Sequence, residues 1–480
     1  MKIVLFFAAV LMSFPVFAQP LPLDPAIRMA KLPNGFTYYI RRNTEPKNRV
    51  QLYLVNKVGS VLEEDNQRGL AHFMEHMSFN GTTHYPKNDL VHYLQKSGVR
   101  FGADLNAYTS FDETVYELPL PSDSPAILHN GLMIMRDWAS NATLDPKEIN
   151  DERGVVLEEK RLGKGAQERM RTKYLPVILN GSRYSERIPI GTDTVLNNFQ
   201  RPVILQFYKD WYRPDLQALI VVGDINVDSM EIQIKKLFGD LKNPANERPR
   251  TKYSVPLKGK NQFVAVTDKE FPYTVFEILI KHPKMKEGTR EEYYESVKRA
   301  LFNQMLAGRF AELSQKPNPP FIQAGADMGG FLGDLDAFTV FGVAKPGQLE
   351  NSFKSVWQLI LQVKQFGFTQ TELDRAGASY LSALESAVKE KDKENSENFV
   401  KEYTRNFLVG EPAPGIETEF EMTKSYLATA KLADINALCP QIINDSNRDM
   451  IIMAPQKDSA SIPAETTVNG WFTTVAAMKL

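Results

Sequence analysis

A chain of 480 residues, 43% hydrophobic and 24% charged, is long enough for two or more ordinary domains and has the make-up of a globular protein, not a disordered or fibrous one. Its formal net charge is −1 and no long run carries one sign, which excludes recognition of nucleic acid or of a charged membrane surface by bulk electrostatics. Cys439 is the single cysteine, so there is no internal disulfide and no thiolate cluster, and any metal site must use histidine and carboxylate.

Residues 1–18 read as an export signal. Met1-Lys2 is a positive start, 3–12 is apolar, and Val16-Phe17-Ala18 places small residues before a cleavage after Ala18. An uncleaved anchor is the alternative, but the apolar run is short for a span. The mature chain is therefore expected in the periplasm or outside the cell, with no stable membrane span.

Asn34-Gly35 marks a turn between extended segments in 31–40, and 49–58 alternates apolar and polar residues as a half-buried strand does. An amphipathic helix follows, with Asp65 or Asn66 as its cap and Asn80-Gly81 as its stop. It contains His72-Phe73-Met74-Glu75-His76. At 3.6 residues per turn the two histidines project within about 40° of each other and can chelate one metal ion. Glu75 lies beside them as a carboxylate base for water at that metal, the arrangement that metal-assisted hydrolysis needs. Histidine pairs at this spacing also occur on helix surfaces without function. His84, His92 and His129 read as structural or surface residues, His92 on a second helix over 87–96.

Residues 101–118 read as two strands, Asn106 to Ser110 and Thr114 to Leu118, ended by 119–125; a helix resumes over 127–139. Asp145-Pro146-Lys147-Glu148 then supplies a cap, a first-turn proline and a capping-box glutamate. The helix it opens carries Glu152 and Glu159 nearly two turns apart on one face, and is the natural source of a third ligand. Glu158 points about 100° away from Glu159. A helix this rich in charge is also what a solvated surface helix looks like, so spacing alone leaves the third ligand open.

Residues 218–224 form an apolar strand followed by a helix to Phe238, and 239–260 reads as a linker. The second half repeats the first. Phe338 to Val343 matches Thr114 to Leu118, a helix over 353–366 matches 127–139, and Thr369-Gln370-Thr371-Glu372 matches the box at Asp145. Met450 to Pro455 matches Leu219 to Gly223. The expected organisation is a signal at 1–18, a metal-binding domain at 19–238, the linker, and a metal-free copy at 261–480. Setting the boxes in register places Ala376 opposite Glu152 and Ala383 opposite Glu159. The second half has one histidine, His282, and no HxxEH, so the fold does not require the polar cluster of the first.

The motif, with Asn80-Gly81-Thr82, Asn106 to Ser110, Glu152 to Glu159, Pro189-Ile190-Gly191-Thr192 and Trp211 to Asp215, resembles the insulinase/pitrilysin family of zinc peptidases, the inverzincins, which include the mitochondrial processing peptidase subunits. The resemblance implies an α+β fold with two homologous α/β sandwich domains, and one zinc ion per chain bound by His72, His76 and Glu159. It implies Glu75 as general base, Glu152 as a carboxylate orienting a ligand, and a strand of Asn106, Ala107, Tyr108 and Thr109 pairing with the backbone of a peptide substrate. The implied activity is zinc-dependent endopeptidase action on peptides or small unfolded proteins. Rival readings are half of a two-chain peptidase and a catalytically silent homologue. Single-chain members carry four such domains and two fit here, so a homodimer or a second half-length homologue is the expected partner. Many members place an Arg and a Tyr from a later domain against the substrate carbonyl. No such pair is found over 309–330, and the partner is expected to supply it.

Overall fold

The computed structural model describes residues 20–87, 89–96 and 106–479; the export-signal expectation for 1–18 and the strand expectation for 101–105 lie outside these residues. Its strands form two sheets. The first contains β1 (Ile27–Lys31), β2 (Thr37–Arg42), β3 (Arg49–Asn56), β4 (Asn106–Thr109), β5 (Thr114–Pro121) and β6 (Gln217–Gly223), in the order β1-β2-β6-β3-β5-β4. The second contains β7 (Gln262–Asp268), β8 (Thr274–Pro283), β9 (Phe321–Gly330), β10 (Leu335–Ala344) and β11 (Arg448–Pro455), in the order β7-β11-β8-β10-β9. Removing β1 makes the two orders correspond strand for strand. Each has one parallel pair in the same place, β2 with β6 and β7 with β11. The sequence matches fall on equivalent strands, β5 with β10 and β6 with β11, so the chain is a duplicated α+β unit.

The first half supplies α1 (Leu70–Phe79), α2 (Asp89–Lys96), α3 (Pro125–Ser140), α4 (Pro146–Gly163) and α5 (Ala166–Ile178). The α4 start has the expected cap and proline, with Asp145 Oδ1 accepting from the Lys147 N–H at 2.8 Å and Pro146 in the first turn, but Glu148 does not close the expected capping box. The reciprocal box is complete at the second-half site, where Glu372 and Thr369 exchange bonds. A strand expectation is also corrected. Pro119 does not end its strand, because β5 runs on to Pro121. Proline lacks an N–H and is tolerated where a strand has a free side. The partner β4 reaches only to Glu117, so Pro119 pairs with Gln51 of β3 and has no second neighbour among the described residues.

Strand alternation decides what each sheet packs against. Leu52 and Leu54 of β3 face the core beneath α1 and α3, while Tyr53 and Val55 face the other way. That second face, with Tyr39, Val115, Ile220 and Val222, is covered by Val400, Tyr403 and Phe407 of the helix Ser396–Val409, which comes from the second half. The second sheet shows the converse. Ile278, Ile280, Phe338 and Val340 pack on the helices Arg290–Ser314 and Leu349–Phe366. Its opposite face, with Leu279, Ala337, Ile451 and Met453, joins the first-half core, against which α5 from the first half is laid. The halves have exchanged helices. Residues 239–261 carry no helix or strand beyond a turn at their start, and pack on the first half through Val255 and through Arg250, which donates to the Lys57 carbonyl at 2.6 Å.

Polar contacts fix this exchange. Arg169 of α5 grips Asp268 with two bonds of 2.7 and 2.5 Å, and the Tyr39 hydroxyl donates to Asn406 Oδ1 at 2.8 Å. The Lys281 ammonium, fully buried, meets Asp449 at 2.7 Å and donates to the Ile178 carbonyl at the end of α5 at 2.5 Å. Removing one member of a buried pair strands the other charge. Lys281→Met is therefore expected to cost about 3–5 kcal/mol, and Lys281→Met with Asp449→Leu to recover most of it. Urea unfolding of the two variants measures both.

Candidate metal centre

The α1 sequence places Leu70, Phe73, Met74 and Met77 on one buried stripe and turns His72 and His76 to the opposite side. Its start differs from expectation. Asp65 and Asn66 do not cap it: they lie in or beside a short turn, Asp65–Gln67, and Asp65 receives the Arg187 guanidinium at 2.6 Å. The cap is the carboxylate of Glu63, which accepts the Gly69 N–H at 2.9 Å and the Ala71 N–H at 2.8 Å. It satisfies donors that a helix start otherwise leaves unpaired. Glu63 is wholly buried, and burial pushes its pKa up to about 8 against the pull of those two N–H groups. Gly69 sits at φ +102°, and a Cβ there would lie 2.9 Å from the Gly191 Cα, so the turn depends on both glycines.

Asp145 aims α4 across α1, with Ile149 and Val156 buried beneath it. Glu152 and Glu159 then face the histidines. Glu159 Oε2 is 3.1 Å from His76 Nε2, and its Oε1 is 3.5 Å from His72 Nε2. Glu152 Oε1 is 2.7 Å from His76 Nδ1, and its Oε2 accepts from Asn80 Nδ2 at 2.7 Å. A carboxylate only accepts, so His76 donates from Nδ1 to Glu152 and turns its Nε2 toward the centre. Glu158 points outward into a fork with Arg161 at 2.6 and 2.7 Å. Glu75 is 8% exposed, and its Oε2 accepts the Thr109 hydroxyl at 2.5 Å.

His72, His76 and Glu159 form a group whose ligand atoms all lie within 4.8 Å of one another. In a tetrahedral zinc site, with bonds of about 2.0–2.2 Å, neighbouring ligand atoms stand roughly 3.3 Å apart. The carboxylate-to-imidazole distances of 3.1 and 3.5 Å fit that spacing, and two imidazoles with one carboxylate are a donor set zinc accepts. The electrostatics favour a cation. Burial, and then His76, holds the His72 pKa down at about 4, so its imidazole is neutral. Burial would lower His76 too, but Glu152 and Glu159 outweigh it and raise it to about 9. Burial lifts the Glu75 carboxyl to about 7, with the Thr109 bond opposing.

The strand residues are divided by alternation. Asn106 and Tyr108 are exposed, whereas Ala107 and Thr109 turn toward α1 and are half-buried. β4 is an edge strand bonded only to β5, which leaves its other side free among the described residues. His84 donates from Nδ1 to buried Asp137 at 2.8 Å. Three contributors were not legible beforehand: Glu63 as the α1 cap, Asn80 as a hand on Glu152, and Thr109 as the partner of Glu75. Only Asn80 carried a signal, as the helix stop one turn after His76.

Glu152 touches no other ligand atom than through His76, so Glu152→Gln is expected to weaken zinc binding roughly 10–100-fold while the fold persists. Competition with a chromophoric chelator reads that change.

The family model "Insulinase (Peptidase family M16)" matches residues 38–181, and "Peptidase M16 inactive domain" matches 198–380. "Zinc protease PQQL-like" of Arabidopsis thaliana is 31% identical over 409 residues, covering 85% of this chain and 40% of that protein. "Probable zinc protease PqqL" of Escherichia coli is 30% identical over 420 residues, covering 87% and 45%. The crystal structure of the first half of the periplasmic protease PqqL from Escherichia coli superposes with a TM-score of 0.90 at 26% identity, covering 96% of this chain and 99% of that one. The chain spans about half the length of the curated relatives it matches. Two consecutive matches of one family, the duplicated fold and these relatives together place the chain in the insulinase family, peptidase family M16.

Proposed function

We propose that the chain is an exported zinc endopeptidase that hydrolyses peptides or small unfolded proteins, with His72, His76 and Glu159 holding one zinc ion and Glu75 acting as general base. The observation that carries this reading is the convergence of those three donors on one point with Glu75 beside them. A zinc ion there supplies a Lewis acid that polarises the peptide carbonyl and makes water a usable nucleophile near neutral pH. The free side of β4 is suited to take the substrate backbone as an added strand. Glu75 would accept a proton from the water as its oxygen bonds to the carbonyl carbon, and deliver that proton to the amide nitrogen as the C–N bond breaks. Burial lifts the Glu75 carboxyl to about 7 in the metal-free centre, and a cation bound beside it would favour its ionised, proton-accepting form. Export is supported by the apolar segment at residues 3–12 and by the periplasmic relative; among the described residues no helix is long and apolar enough to cross a membrane.

The exposure of the centre favours a second reading, in which activity needs a partner: a second copy or a half-length homologue. Glu159 is 50% exposed, so the centre lies on an open face that a partner can close. A silent homologue is disfavoured, since the donor set is intact here while Glu152 and Glu159 have Ala376 and Ala383 as register mates in the second half.

With a quenched fluorescent peptide library, the mature chain is expected to show chelator-sensitive cleavage. Glu75→Gln should lower it by about 10²–10⁴-fold while zinc stays bound. Cleavage that survives in Glu75→Gln would sink the base assignment. Zinc without cleavage would favour the partner reading, which size exclusion and mixing with a candidate second half then test.

A further inference from the structure

We propose that Thr109 is a positioning residue for Glu75: its hydroxyl holds one carboxylate oxygen in place and so aims the other at the reacting centre. This rests on the reading of Glu75 as general base. Thr109 then has a role different from backbone pairing with substrate, and it links the substrate strand to the base.

Hydroxyl bookkeeping assigns the bond. Thr109 Oγ1 lies 2.5 Å from Glu75 Oε2 and 3.3 Å from Thr114 Oγ1, its cross-strand neighbour. The Thr114 hydroxyl, fully buried, donates its only hydrogen to the Val58 carbonyl at 2.9 Å. The Thr109 hydrogen is therefore free to go to Glu75, the closer acceptor. Alternation confirms the direction: Ala107 and Thr109 pair with Tyr116 and Thr114 on the side of the sheet that faces α1, while Tyr108 pairs with Val115 on the other.

The hydroxyl is held on a fixed frame. Directly after Thr109 the chain turns, with the Ser110 N–H donating to the Glu113 carbonyl at 2.8 Å. The Ser60 and Val61 N–H groups donate to the carbonyls of Ser110 and Phe111 at 3.1 and 2.9 Å. A Cβ on Gly59 would lie 2.5 Å from the Phe111 carbonyl oxygen, so this approach needs glycine. The segment from 59 leads within a few residues to Glu63, the cap of α1. One short stretch thus fixes both the helix that carries Glu75 and the strand end that orients it. A peptide added to the free side of β4 is paired to the strand whose last residue holds the base.

The test uses zinc-loaded Thr109→Val, which keeps shape without the hydroxyl, Thr109→Ala, which removes it without adding a methyl against the carboxylate, and Thr109→Ser, which restores it. Crystal structures of all three, zinc content and steady-state kinetics are read together. Expected are unchanged zinc, a Glu75 carboxylate displaced in the Val and Ala variants but not in Ser, and kcat about 10–100-fold lower in Val and Ala with KM nearly constant and recovery in Ser. An unmoved Glu75 in the Val and Ala structures overturns the proposal whatever the activity. A loss carried by KM, or a Ser variant as poor as Val, overturns it as well. If Glu75→Gln is itself as active as the parent, the base reading falls, and the crystal structures still decide whether Thr109 places Glu75.

Discussion

One carboxylate, that of Glu152, joins the two helices on which every donor atom of the centre sits. Its two oxygens take separate bonds from His76 and Asn80, both in or just past the last turn of α1. Two bonds from one rigid group fix rotation as well as distance, so the position of Glu159 along α4 is set relative to both histidines. At the other end of α1, Glu63 holds the first N–H groups. A ten-residue helix is too short to be stable alone. Tied by a carboxylate at each end and buried along its apolar stripe, it can present two imidazoles with little freedom.

The second half shows what the fold retains without this chemistry. Its sheet has the same order once β1 is set aside and its long helix Gln370–Glu390 is also capped, and there Glu372, besides closing the cap with Thr369, meets Arg309 at 2.7 and 3.0 Å. That ion pair fastens two helices by direct contact. In the first half the corresponding crossing is made through histidines, which leaves two ring nitrogens and a half-exposed carboxylate facing a common point. Burial of polar groups costs free energy unless they are paired. Converging carboxylates around two imidazoles are an arrangement that stability alone does not select.

Much of this was legible in local patterns. The two-histidine face followed from helical spacing, the α4 start from Asp145-Pro146, and the duplication from matched strands and caps. These signals act within a turn or two of the chain, where side-chain geometry is dictated by the backbone. What stayed hidden depends on contacts between distant segments. Glu63 caps a helix that starts seven residues later because an intervening turn brings it back. Thr109 reaches Glu75 because of strand register, which pattern alone does not supply. Pro119 continues its strand by pairing with Gln51 of β3, with no second neighbour among the described residues. The helix Ser396–Val409 shows the same limit: amphipathic spacing says that one face is buried, and not that the burying sheet belongs to the other half.

That exchange of helices has a consequence for how the molecule comes apart. Stripping the helix Ser396–Val409 from the first sheet would expose Tyr39, Val55, Ile220 and Val222, and withdrawing α5 would bare Leu279 and Met453 of the second. Neither half can lose its structure without uncovering an apolar face of the other. The duplicated units, though separable on paper, share their apolar burial, so they are expected to unfold together, with local opening falling in loops and ends outside the interface that both sheets share.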